Sequence, residues 1–503
     1  MTQTWKKIAT VSMAALMLTG SLAGCGGSKA EPLDAENPTI KVMTKQFATE
    51  SAGEDSPVLQ ELEKYLGVNL EMTWAPSSNY DEKLTATMGS GNYPHAMLVG
   101  SRSSAIIQAS RKGRFWDVTE KFSDSAKFPN LAQANPMINH NISIDGKVYG
   151  VYRARTVGRA GISIRKDWLA NVGLETPKTI DELYNVLKAF KEQDPDGNGQ
   201  ADTYGMIITD YLAGPLDNIA VWMGAPNQWG VAEDGKLAPD FMFEEYVDAL
   251  RFLNKCYAEG LINQDMATYD SSKWNEQFLN SKAGVIIDVA DRARRLAQNM
   301  ENHDCVDVFG YVTKDANTAP RTLPTTGYDG YYVFPKAAIA TEADLDIVLT
   351  MMDKCNDEYA LNLMNYGIEG RSYDLDAEGF VVKKDDPAIT KEYADLNQFA
   401  TGIIASPLKT RYTAPVAEKV ELVYADNEQY AVANPAQPYV SDTYSTAGPQ
   451  LDAIMAEADT KFIIGQITED EWKAQRDRWL QQGGQKVIDE YNAAYDADSS
   501  VQK

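Results

Sequence analysis

The alternation of segment types between residues 39 and 99 constrains this chain more than any other feature. Thr39–Met43 reads as a strand, Ser56–Leu66 as a helix and Val68–Met72 as a strand. Asn79–Met88 is again helical, and Ala96–Val99 is a third, wholly apolar strand. The first helix places Val58, Leu59, Leu62 and Leu66 on one face, and Val68–Met72 alternates with period two. G-S-G-N-Y-P, beginning at Gly89, breaks the second helix. This rhythm predicts a mostly parallel sheet with helices on both faces. Ligands of such sheets lie beyond the carboxyl ends of the strands.

A second α/β unit begins near Arg159. Gly161–Ile164 is a strand, and the helix after it is closed by Gly173. A further helix has Thr179 as N-cap, Glu182 as its capping-box partner, and Leu183, Leu187 and Phe190 as a core stripe. D-P-D-G-N-G-Q-A-D, from Asp194, follows directly, and Tyr204–Thr209 leaves it as a strand. The loop opens like an EF-hand calcium loop, but its twelfth position is Gly205 instead of Glu. Because it joins a helix to a strand, it is not a helix–loop–helix EF-hand.

The amino terminus indicates the compartment. Lys6 and Lys7 precede an uncharged run, Ile8–Leu22, that ends in L-A-G-C at Cys25. This is the layout of a secretory signal, too short for a stable membrane span. Gly26, Gly27 and Ser28 then open a flexible tether. The net charge is −25, and residues 1–24 carry two lysines and no acid, so their removal makes the chain more acidic still. Such a chain is a poor partner for nucleic acid. Cys256, Cys305 and Cys355 are odd in number and lack metal-ligand spacing, which argues against a disulfide framework and a zinc site. One bridge plus a free thiol stays open. At 503 residues the chain has room for two or three domains.

Several stretches, in this order, give the chain a family resemblance. They are L-A-G-C; I-D-G-K-V-Y-G-V at Ile144; I-R-K-D-W-L at Ile164; T-P-K-T-I-D-E-L with its loop; Y-A-E-G-L-I-N at Tyr257; W-N-E-Q-F-L-N-S-K-A-G at Trp274; Y-G-I-E-G-R-S-Y at Tyr366; and G-G-Q-K-V-I-D-E-Y-N at Gly483. The chain resembles the large family 1 extracellular solute-binding lipoproteins of bacterial ABC importers. It is most similar to their oligosaccharide and aldouronate-type subgroup, with similarity to alginate-oligosaccharide binders.

The resemblance implies two discontinuous α/β lobes, each a mostly parallel sheet flanked by helices, joined by a multi-crossover hinge with the ligand in the cleft. It implies a signal over 1–24, a tether over 25–37, a first lobe over 38–155 and 283–335, and a second over 156–282 and 336–495. Lys282–Asp288 is expected as the strand returning to the first lobe, and a helical segment over 450–495, with Trp472 and Trp479, to pack on the second. It further implies lipidation of Cys25, anchorage on the outer face of the membrane, monomeric behaviour and delivery to the permease subunits. In the alginate binders the matching loop holds structural calcium. Carried over, Asp194, Asp196, Asn198 and Asp202 supply side-chain oxygens and Gln200 its carbonyl. The departure is Thr203, where an acid often stands.

A sugar cleft needs aromatic faces and groups for hydroxyls. The candidates are Trp74, Tyr93, Trp222, Asn227, Trp229, Asp288, Tyr328 and Asp329. Trp222 and Trp229 flank a turn, which favours the cleft over the core. The arginines of Asp291–Arg295, or Arg159 and Arg165, could meet a uronate carboxylate; a solvated helix face is the plainer reading of the former. The rival functions are a lipid-anchored polysaccharide hydrolase or lyase and a peptide-binding importer component. No H-E-x-x-H, G-x-S-x-G, Walker or Rossmann motif occurs, which favours a binding protein over an enzyme.

Overall fold

The computed structural model describes residues 30–498 apart from 407, 412 and 413, so the signal and Cys25 lie outside the described residues. Numbered along the chain, the strands are β1 (Thr39–Gln46), β2 (Asn69–Pro76), β3 (Ala96–Val99), β4 (Gly150–Ala154), β5 (Ala160–Arg165) and β6 (Tyr204–Met206). They continue with β7 (Trp229–Val231), β8 (Leu237–Pro239), β9 (Ala283–Val289), β10 (Val306–Phe309), β11 (Tyr328–Val333), β12 (Tyr373–Leu375) and β13 (Val381–Lys383). One sheet has the order β2-β1-β3-β11-β4 and a second β10-β5-β9-β6, while β7–β8 and β12–β13 are hairpins.

The first sheet grows from the predicted alternation. The helix Pro57–Leu66 buries Val58, Leu59, Leu62 and Leu66, the Ser56 side chain accepts from the first free N–H groups, and left-handed Gly67 ends it. The chain thereby returns to lay β2 and then β3 parallel to β1. β11 enters antiparallel between β3 and β4. In the second sheet only β6–β9 is parallel, and β5 pairs antiparallel with both β9 and β10. The parallel pairing expected of both sheets therefore holds for the strands joined by helical crossovers. The others reverse direction because they arrive from the hinge side.

Each lobe has its own buried core. The first joins β1–β4 and β11 to residues as far as Phe399. The second lobe has a core on each face of its sheet: Val285 and Ile287 face one, Ile286 the other. This period-two split corrects the expected boundaries. β9 does not return to the first lobe; it is central in the second sheet, where both of its faces are covered. The chain crosses near 155–159, again over 310–327, and finally between Ile404, packed on the first core, and Ala414, in a second-lobe core. Residues 283–309 thus belong to the second lobe and 336–404 to the first. Strand periodicity identifies β9 but carries no information on its partners.

Smaller corrections follow from single side chains. Glu182 completes only half of a capping box: Thr179 accepts its N–H (3.2 Å), but its carboxylate reaches Lys178 N–H (2.7 Å). The expected tether is docked from Leu33, whose side chain packs on the first core and whose N–H donates to Asp344 (2.9 Å). Cys256, Cys305 and Cys355 are free and buried in three different cores, so no pair among them can bridge. The helices Asp442–Ile463, Glu469–Trp479 and Gln485–Ala497 pack on the second lobe with Trp472 and Trp479 buried.

Candidate functional site: an inter-lobe cleft and a cation loop

Strand directions bring one end of each sheet to the first crossing. Tyr331 pairs with Val99 and Tyr328 with Ala154, so Tyr328, Asp329 and Arg155 gather at the carboxyl ends of β3 and β4. In the second sheet Ala160 pairs with Val289, which puts Asp288 beside the crossing. β6 runs parallel to β9, and the chain beyond it presents Tyr211 at this same end.

The second-lobe wall is assembled around Trp274. Its indole is buried and donates to Ile207 O (3.1 Å). The Arg292 guanidinium lies over that ring at 4.4 Å, donating to Asp288 (3.0 Å) and Asn275 (2.6 Å). Tyr211 meets Trp274 edge-on at 6.2 Å and is 50% exposed. Despite that exposure, desolvation in the crowded wall, then Asp288 and Asp217, push its phenol pKa up. Across the hinge Arg155 lies 3.7 Å from Asp329. An exposed aromatic face beside fixed carboxylate and guanidinium groups can take both the apolar face and the hydroxyls of a polar ring.

The predicted site residues divide. Asp288, Tyr328 and Asp329 stand at the cleft end. Asn227 donates to Val432 O (3.0 Å) and borders a cavity of about 440 Å³ between the lobes, with His140 and Thr325 on its other walls. Trp229 borders an adjoining second-lobe cavity of about 300 Å³ and meets Tyr491 edge-on at 4.8 Å. Trp222 is overturned as a cleft residue: it lies on the helix Ala213–Met223, 1% exposed, within the core. Tyr93 is overturned by topology. Its loop precedes β3 and lies at the amino ends of the parallel strands, where its hydroxyl donates to Met88 O (2.9 Å). Trp74 is on edge strand β2, its indole held by Ala52 O (3.3 Å).

Among the arginines, Arg159 pairs bidentately with Asp291 (2.9 and 3.0 Å), and Arg165 pairs with Asp167 at the far end of β5. Tyr211 and Trp274 were not singled out as ligand residues by the sequence, whereas Arg292 is one of the arginines of Asp291–Arg295 considered there for a uronate. The signal available for Tyr211 was its place just past the end of a strand.

The loop Asp194–Asp202 curls through left-handed Asp194, Gly197 and Gly199. The Asp194 carboxylate accepts from Asn198 N–H (3.1 Å) and Gly199 N–H (2.9 Å). The Asn198 amide reaches Asp196 (2.8 Å) and Asp202 (3.3 Å), which brings the three carboxylates together. Burial, then contact with Asp194 and the charge of Asp202, push Asp196 up, whereas Lys282 holds Asp202 below its ordinary range. Thr203 points away, its hydroxyl donating to Phe190 O (2.6 Å). The donor chemistry, all hard oxygen, suits a divalent cation. Among the described residues, however, no group of three or more acidic, histidine or cysteine side chains is placed to hold a metal ion, and Lys282 pairs with Asp202.

Known proteins match this architecture. Residues 47–352 match the family model described as bacterial extracellular solute-binding protein. Lipoprotein LipO of Bacillus subtilis is 40% identical, with 97% of this chain and 98% of that one covered. The polygalacturonan/rhamnogalacturonan-binding protein YtcQ of B. subtilis is 32% identical, over 95% and 97%. The S. pneumoniae ABC-transporter substrate-binding protein FusA, solved as an EF-hand mutant with fructo-nystose, superposes with a TM-score of 0.64 at 19% identity, over 91% and 99%. A family model that spans more than half the chain, on a two-lobed α/β frame, fixes the assignment: the chain belongs to the bacterial extracellular solute-binding proteins.

Proposed function

We propose that the chain captures an oligosaccharide between its lobes and delivers it to the permease of an ABC importer, as a monomer held at the outer membrane face through a lipid on Cys25. The observation that carries this reading is the convergence of both sheets on one cleft walled by Tyr211, Asp288 and Arg292. The names of YtcQ and FusA, which refer to glycans, support it. Asp288, Tyr328, Asp329, Asn227 and Trp229 are proposed ligand neighbours. The chain works by binding and release, not turnover, as its family does. A thermal-shift screen against oligosaccharides and peptides tests this. A ligand at a hundred times its Kd adds about 2.7 kcal/mol of stability. A response only to peptides, or hydrolysis of a stabilising glycan, overturns it.

The loop Asp194–Asp202 is proposed to hold structural calcium, with oxygens from Asp194, Asp196, Asn198, Asp202 and the Gln200 carbonyl. Asp196 and its two acidic neighbours repel one another, which a cation would relieve. FusA, a relative by fold, was itself solved as an EF-hand mutant.

A further inference from the structure

We propose that the second-lobe cavity beside Gln228 seats an uncharged sugar ring and turns away a uronate, an inference that rests on the oligosaccharide reading above. The cavity, about 300 Å³, lies between the start of the helix Ala213–Met223, the β7–β8 hairpin and the helix Asp442–Ile463. It adjoins the inter-lobe cavity, since Gln228 borders both. Gln228 holds a left-handed backbone (φ 60°), a conformation that non-glycine residues adopt at a cost.

The ionisable groups of this cavity are all acidic, and burial pushes Asp240 well above the ordinary carboxylate range and Asp459 up to about 7. Asp217, Asp240, Asp452 and Asp459 line it together with the rings of Trp229 and Tyr444, and no lysine, arginine or histidine does. Three of these acids are engaged: Asp459 by Tyr246 hydroxyl (2.8 Å) and Trp472 indole (2.7 Å), Asp452 by Tyr444 hydroxyl (2.8 Å), Asp240 by Phe241 N–H (2.8 Å). Among the described residues the Asp217 side chain makes no hydrogen bond or ion pair. It keeps some accessible surface, yet the protein packed around it raises its carboxyl to about 7, with Asp459 adding to the shift.

A carboxylate in this state accepts hydrogen bonds from sugar hydroxyls, and the flanking rings offer a face to the pyranose. A uronate carboxylate would be desolvated among these acids with no cation in the lining to balance it. The nearby arginines do not alter this. Arg292 is held by Asp288, Arg155 faces Asp329, and Arg102 donates to carbonyls. Arg153, which has no carboxylate partner, donates to Gln398 in the first lobe and lines neither cavity.

The test is calorimetric titration at pH 8 with length-matched neutral oligomers (gluco-, manno-, galacto-, fructo- and arabino-) and acidic ones (oligogalacturonate, oligoalginate). The expected result is that the tightest ligand is neutral and every uronate is weaker by about tenfold or more. Asp217→Asn should weaken the neutral ligand about tenfold while leaving uronates unchanged or improved. Tyr444→Phe, which frees Asp452 without removing the ring, should weaken the neutral ligand in the same direction. A uronate that binds most tightly, or a neutral ligand indifferent to both substitutions, overturns the inference and leaves the oligosaccharide reading standing. Binding of no glycan at all overturns both.

Discussion

Trp222 and Tyr211, two aromatic residues of the second lobe, have opposite placements, and each can be tested by a single substitution. Trp222 is sealed in the second-lobe core, so Trp222→Phe should lower unfolding free energy by about 1–3 kcal/mol through the void it leaves, with ligand affinity unchanged. Tyr211 is half exposed in the cleft wall, so Tyr211→Ala should weaken glycan binding by about tenfold or more with little change in denaturation midpoint. Reversed results would move the ligand elsewhere. The expectation for Trp222 failed because a turn in the sequence does not report burial; the helix before that turn is buried around most of its circumference, and Trp222 lies on it.

His95 supplies the clearest pH dependence. Its Nδ1 accepts the Lys41 N–H (2.9 Å), which requires a neutral ring, and burial, then Lys41, hold its pKa below 6.5. In the unfolded chain it titrates near 6.5. As pH falls, the unfolded chain takes up this proton first. The contribution to stability is therefore complete above about pH 6.5 and declines below it until the folded pKa is passed. Denaturant titrations at pH 7.5, 6.5 and 5.5 should show that decline, with a shallower slope in His95→Gln. Equal slopes would remove His95 from the account.

At the scale of elements, what the sequence shows depends on how local the cause is. The helix Pro57–Leu66 has its cap, apolar face and glycine stop within twelve residues, and all four predicted core positions are buried. β9 was equally visible as a strand, but its place between β5 and β6 is decided by residues about eighty or more positions away. Such pairing leaves no local trace. The calcium loop is intermediate. Its acids were legible, whereas Lys282 on Asp202 comes from the next strand's entry and was not. That lysine competes with a cation for Asp202, so Lys282→Met should tighten calcium binding by a few-fold. Calcium should raise the thermal midpoint of the unmodified chain and EDTA should reverse it; no metal uptake in either form would refute the loop as a site.

At the scale of the molecule, the lobes also meet through a polar clasp. Arg102, just past β3, donates to Ser143 O of its own lobe (3.1 Å) and to Pro438 O of the other (2.9 Å), with Gln437 O beside it. Arg111 holds Asp145 bidentately (2.8 and 3.0 Å) and reaches Asp442 across the gap (2.5 Å). Neither arginine lines the two cavities, so their removal should act on the balance between open and closed lobes without touching a ligand. Surface ion pairs contribute only about 0–1 kcal/mol, but the Arg102 bonds run from a charged donor and are worth about 1.5–3 kcal/mol. Losing that bias enlarges the open population, and apparent affinity falls by the closed fraction lost. The double variant Arg102→Ala, Arg111→Ala should therefore show a larger radius of gyration without ligand, and a several-fold weaker Kd. Saturating glycan should return the radius to that of the unmodified protein. A variant equal to the parent in both scattering and affinity would show that the clasp follows closure and does not drive it.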